Sequence, residues 1–172
     1  MYYINIFFVY SILGFLIESL FCSFLPLKSG ILYGPWTIVY GIGMTFVYLV
    51  YDKLLYKYKS VKKFVLLFII STVFLQLFEG IGGIFLEKVF GIVYWNYENQ
   101  LLNIGKYMSI TMALLWGVSS VVSFYIIRDF LDKFIKKIPK YITWIIIIIF
   151  FIDCFLTLWF KSKLVSFFKI FF

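Results

Sequence analysis

The stretch FVLLFIISTVFLQLFEGIGGIFLEKVF (64–90) decides how the rest of the chain is read. Across it the only charged side chains are Glu79, Glu87 and Lys88. About 20 predominantly apolar residues suffice for an α-helix to cross a ~30 Å hydrocarbon layer. This segment is longer than that, so it spans with room to tilt or to leave its last turn among headgroups.

Working outward, comparable segments run from Ile4 to Leu25, Pro35 to Tyr56, Tyr107 to Ile127 and Tyr141 to Phe160. Pro26 ends the first, and Pro35 suits the first turn of the second. The last holds IIIIIFF (145–151), which would suit a buried strand in water. In lipid an isolated strand leaves its backbone groups unpaired, so helix is expected. The sequence predicts an all-α, polytopic membrane helix bundle of about five transmembrane helices. Residues 1–172 form one integral membrane domain, with a carboxyl-terminal helix at 141–160 and a tail at 161–172.

Composition agrees. Apolar residues make up 64% and charged residues 14%, against roughly 45–50% and about 25% in globular domains. The mean hydropathy is +1.02. These values exclude disorder, collagen and coiled coil. Asn5 and Glu18 interrupt the first span, no basic residue precedes it and no small-x-small site follows, so a retained helix is expected rather than a leader. Histidine is absent, which excludes imidazole-based triads and the common zinc sites. Cys22 and Cys154 lie in apolar runs and read as small hydrophobes. No metal or cofactor is expected.

The net charge of +8 is distributed as a membrane protein distributes it. Five lysines fall in 53–63 and five more basic residues in 128–140, and on the alternating topology both loops share one face. The opposite face carries Lys28, Lys88, Lys106, Lys161, Lys163 and Lys169. The ten-to-six bias predicts a cytoplasmic amino terminus and an external carboxyl terminus. Nucleic acid is not expected as a partner, whereas membrane lipid is. RDFLDKFIKKIPK (128–140) spaces Phe130, Phe134 and Ile138 by four between basic residues, as an amphipathic helix of the cytoplasmic headgroup layer would. The tail reads as a second interfacial element.

Carboxylates within apolar segments are expensive, and by default they mark a site or a pairing partner. Glu18, Glu79, Glu87 and Asp153 are such groups. Gln76, Glu79, Gly80, Gly83 and Glu87 recur at spacings of three and four, so they share one helix face. Lys106, Ser109, Ala113, Gly117 and Ser120 make a comparable face leading into the next span. By depth, Glu18, Glu79, Glu87 and Lys106 converge near the outer leaflet, with a Lys–Glu pair to make burial tolerable. The loop VYWNYENQLLNIGKY (93–107) adds Trp95, Tyr97, Asn103 and Gly105. The competing readings are packing between helices for the buried groups, snorkelling for Glu87 and Lys106, and an ordinary aromatic belt for Trp36 and Trp95. Glu18 precedes Trp36 by eighteen residues and Glu79 precedes Trp95 by sixteen, a faint sign of two parallel repeats.

YSILGFLIES (10–19), GILYGPWTIVYGIG (30–43), LFEGIGGIFLEKVFGIVYWNYENQLLNIGK (77–106) and LLWG (114–117) carry a resemblance. Residues 5–125 are similar to the bacterial family described as ABC-transporter type IV, or CmpB-like permease. Eukaryotic transmembrane protein 229 is similar in pattern. The family's motifs match Glu18, Gly34, Pro35, Tyr40, Gly41, Glu79, Gly80, Glu87, Trp95, Tyr97, Asn103 and Gly105. Lys106 stands where the family usually has arginine, keeping the charge but losing the planar fork.

The resemblance implies a small permease or transporter component of the bacterial cytoplasmic membrane. Glu18, Tyr40, Glu79, Glu87, Trp95, Tyr97, Asn103 and Lys106 are the substrate-cavity candidates. The chain has no Walker-type phosphate loop, so ATP would be hydrolysed by a separate subunit, and a homo-oligomer is the other partner expected. Two further readings stay open: an enzyme acting on a lipid or lipid-linked substrate, and an assembly or regulatory membrane subunit.

Overall fold

A computed structural model describes residues 1–23, 30–91 and 93–171, with side chains for all of these except 21–23 and 161–171. Lys28, the Cys22 side chain and the interfacial role expected of the tail side chains lie outside what the structure describes. Six α-helices are named in chain order: α1 (Tyr2–Ser23), α2 (Ile38–Lys53), α3 (Ser60–Phe90), α4 (Ile110–Val122), α5 (Arg128–Ile135) and α6 (Lys140–Phe171). No strand occurs among the described residues, only an isolated bridge between Asn103 and Ser109. Four stretches are long and apolar enough to cross a membrane: Tyr2–Leu20, Ser60–Phe90, Ile110–Ile135 and Lys140–Phe160. The protein is a multi-pass helical membrane protein.

The expected second span is shorter than its sequence suggests. α2 has 16 residues, about 24 Å of helix, and begins at Ile38 rather than Pro35. Asp153 of α6 accounts for the late start. Its carboxylate accepts from the backbone amides of Tyr33, at 3.1 Å, and Gly34, at 2.9 Å. That holds the Gly-Pro-Trp turn outside the helix.

The expected fourth span and amphipathic helix are continuous. A π-helical turn, Ser123–Ile127, joins α4 to α5. A widened turn changes the side-chain register, and beyond it Arg128 reaches inward to Asp52 of α2 at 3.2 Å and Asp132 at 3.6 Å. The helix stops at Ile135, short of the expected 140, because Pro139 restricts the residue before it and breaks the ladder. Phe130 and Phe134 face outward as the spacing predicts, while Leu131 and Ile135 pack into the core.

Small residues set the helix spacing, as membrane interfaces require. A Cβ at Gly41 of α2 would strike Ser11 and Phe7 of α1, and one at Gly117 of α4 would strike Thr72 and Phe68 of α3. At the lysine-rich end Tyr48, Tyr10, Phe124, Leu67 and Ile135 form the apolar core. Arg128 lies 4.4 Å from the Phe124 ring and 5.0 Å from Tyr48. Tyr2 donates to Asp132 at 2.8 Å and Tyr3 to Asp52 at 3.3 Å. Arg128 thus joins α1, α2 and α5 through two carboxylates and a set of rings. Replacing it with alanine strands Asp52 and Asp132, so Arg128→Ala should cost about 1–3 kcal/mol. Lys136→Ala, at an exposed ammonium 3.7 Å from Asp132, should cost less than about 1 kcal/mol. Thermal unfolding of the two variants in detergent checks the ordering.

Candidate functional site

α3 turns its polar, small stripe inward. Gln76, Glu79, Gly80 and Gly83 are buried, whereas Leu77, Ile81, Ile84 and Phe85 are exposed. Gly80 and Gly83 let the loop after α3 lie close, since a Cβ at either would meet the Met108 or Tyr107 side chain.

Glu79 is held by donors from two other elements. The Tyr97 hydroxyl, from the loop, donates to Oε1 at 2.7 Å, and Trp116 Nε1, from α4, donates to Oε2 at 2.9 Å. The Trp116 ring meets Tyr40 of α2 edge-on with centroids 5.2 Å apart. Tyr40 in turn lies over Gly14 of α1, where a Cβ would strike its ring. Glu18 accepts from the Thr37 hydroxyl at 3.2 Å and lies within electrostatic reach of both Glu79 and Tyr97. Glu18, Tyr40, Glu79 and Tyr97 therefore come together, drawn from three helices and a loop.

Burial, with the neighbouring Glu79 carboxylate, raises the Tyr97 hydroxyl well above its ordinary value. Tyr97 accordingly keeps its proton, and its hydrogen bond to Glu79, across the physiological range.

Lys106 belongs to a second cluster. Its Nζ lies 2.5 Å from Glu87 Oε1, and the Tyr107 hydroxyl donates to Glu87 Oε2 at 2.6 Å. The hydrogen bond to Glu87 raises the Lys106 ammonium above its ordinary value. Trp95 meets the Tyr107 ring with centroids 6.1 Å apart. The expected Lys–Glu pair is thus Lys106 with Glu87, and the Tyr97 backbone amide donates to the Lys106 carbonyl at 2.8 Å. The expected helical face through Lys106 fails, because α4 begins only at Ile110. Ser109 caps it by accepting from the Met112 amide at 3.1 Å, and Gly105, at φ 68°, turns the chain just before Lys106. Asn103 is exposed in this loop, its amide 3.5 Å from the Gly105 carbonyl, and is not part of either carboxylate cluster.

Three partners escaped the sequence reading: Trp116, Thr37 and Tyr107. Trp116 stands inside the LLWG motif, and Tyr107 follows Lys106 directly, so their positions were visible though their carboxylate partners were not. Gln76 sits one turn before Glu79, buried, with neither amide atom hydrogen-bonded to a described residue.

An inward-facing carboxylate hydrogen-bonded from a second helix and a loop, in a bundle of apolar helices long enough to cross a membrane, defines a polytopic membrane protein. Comparison with known proteins then gives the family. A family model described as "Putative ABC-transporter type IV" matches residues 5–158, and the chain belongs to that family. The match extends past the 5–125 legible in the motifs and takes in most of α6. Neither the curated proteins nor the solved structures yield a match, and the likeness to eukaryotic transmembrane protein 229 is not shown.

Removing one donor from Glu79 leaves an under-satisfied buried acceptor. Trp116→Phe and Tyr97→Phe should each cost about 1–3 kcal/mol. Lys106→Met breaks only a half-exposed pair and should shift the melting temperature less than either. Thermal unfolding of the three variants in one detergent reads the order directly.

Proposed function

We propose that the chain is a small permease or transporter component of a bacterial cytoplasmic membrane, with its solute path at the end of the bundle where Glu79 lies. The observation that carries this reading is Glu79 itself. It is a buried carboxylate in a spanning helix, hydrogen-bonded by two neutral donors and bordered by Glu18 and Tyr40. An intramembrane acid so placed is more than a packing device requires. Tyr97 comes from the loop that crosses this end, so movement of the loop would expose Glu79 to water and restore the cover afterwards.

The positive-inside bias places this end outside and the lysine-rich end in the cytoplasm. Energy, if ATP supplies it, comes from a separate ATP-binding subunit docked at the lysine-rich end. A second copy of the chain is the alternative partner. Glu87, Lys106, Trp95 and Asn103 shape the approach to the site in this reading.

Glu79→Gln is the informative variant. Its amide oxygen still accepts from Trp116, while its NH₂ faces the Tyr97 oxygen and the Tyr97 hydroxyl hydrogen loses the acceptor it has in Glu79. Charge and proton acceptance are lost. In proteoliposomes tested with a panel of radiolabelled small solutes, the wild-type chain should take up at least one, and Glu79→Gln should reduce that uptake at least tenfold while lowering the melting temperature no more than Tyr97→Phe, which keeps the carboxylate and should retain more of the uptake. Equal uptake by both proteins contradicts the proposal, as does chemical conversion of a solute without net flux.

A further inference from the structure

A groove of about 290 Å³ opens between α1, α6 and the turn after α5, away from the Glu79 cluster. Phe8, Val9 and Ile12 line it from α1, Ile142 and Ile146 from α6, and Lys137 from the turn after α5. Along α1 the lining extends from Asn5 to Ile12, roughly 10 Å of helix. Asn5 adds little free polarity, since its Oδ1 accepts from Thr143 at 2.7 Å. The site is therefore an apolar groove whose lining includes one lysine.

Its surroundings carry a net positive charge. The segment 128–140 holds five basic residues and two acidic ones. Asp132, the nearer acid, is already engaged by Tyr2, Arg128 and Lys136. Lys133, Lys136, Lys137 and Lys140 are exposed.

We propose that this groove binds a phospholipid with an anionic headgroup, one acyl chain lying between α1 and α6 and the phosphate meeting Lys137. The chemistry matches at both ends. Apolar walls on two sides hold a chain that bulk lipid would touch from one. The lysine cluster favours a headgroup with net negative charge over a zwitterionic one, because five basic residues outnumber Asp129 and Asp132 in this segment. An extended peptide is disfavoured as occupant, since its backbone amides would meet apolar walls without partners.

The test is native mass spectrometry of the full chain in detergent, titrated with dioleoyl phosphatidylglycerol or dioleoyl phosphatidylcholine. Phosphatidylglycerol should bind about fivefold more tightly, the effect of one lysine near the headgroup. Lys137→Gln should abolish that preference. Lys133→Gln, an exposed lysine outside the groove lining, should keep it. Ile146→Trp, which fills the groove and leaves every lysine in place, should weaken phosphatidylglycerol binding. Equal affinity for the two lipids overturns the proposal. So does a preference retained by Lys137→Gln, or an equal loss in both lysine variants, which would mark diffuse surface attraction.

Discussion

The carboxylate of Glu79 is the constraint around which the fold is arranged. A spanning helix cannot present an acid to hydrocarbon cheaply, so the face of α3 that carries it must turn inward. The rest follows from that rotation. Leu77, Ile81 and Phe85 are left to the outside, while Gly80 and Gly83 give the following loop room to approach. The loop then delivers Tyr97, and α4 delivers Trp116. Both are amphipathic aromatics, which fill apolar space with the ring and satisfy the acid with the polar tip.

The two ends of the bundle handle charge differently. At the lysine-rich end Arg128 meets Asp52 and Asp132, each also bound by a tyrosine, so cation and anions compensate one another. At the other end the Lys106–Glu87 pair lies near the surface of the loop, and Glu79 beneath it takes hydrogen bonds from neutral donors. The first arrangement fastens helices together. The second seats a single carboxylate between a loop tyrosine and a helix tryptophan. Asp153 shows a third use of an intramembrane acid, holding the turn before α2 by two backbone amides.

What was legible in the sequence was whatever a single helix expresses. The length and hydropathy of 64–90 identified a span, and the three-and-four spacing from Gln76 to Gly83 identified its inward face. Partners between elements were less legible. Depth grouped Lys106 with Glu18, Glu79 and Glu87 without saying which carboxylate it pairs with; the turn at Gly105 and the cap at Ser109 put it in the loop, where Glu87 is its partner. The shortness of α2 was hidden as well, because the amides of Tyr33 and Gly34 are claimed by Asp153, some 120 residues away. Hydropathy also could not tell that 110–135 is one helix, since Arg128 and Asp132 look like an interfacial segment until Asp52 and Tyr2 are placed opposite them.

The central claim is that the Glu79 face of α3 lines a path reached by water from the loop end of the bundle. Site-directed thiol labelling in oriented vesicles tests it most directly, with Glu79→Cys compared with Ile81→Cys in a chain lacking its own cysteines. A membrane-impermeant maleimide added outside should modify the cysteine at position 79 and spare the one at 81, while a lipid-soluble maleimide should reach 81. Modification of position 79 only by the lipid-soluble reagent, or only by the impermeant reagent from the lysine-rich side, would contradict the account.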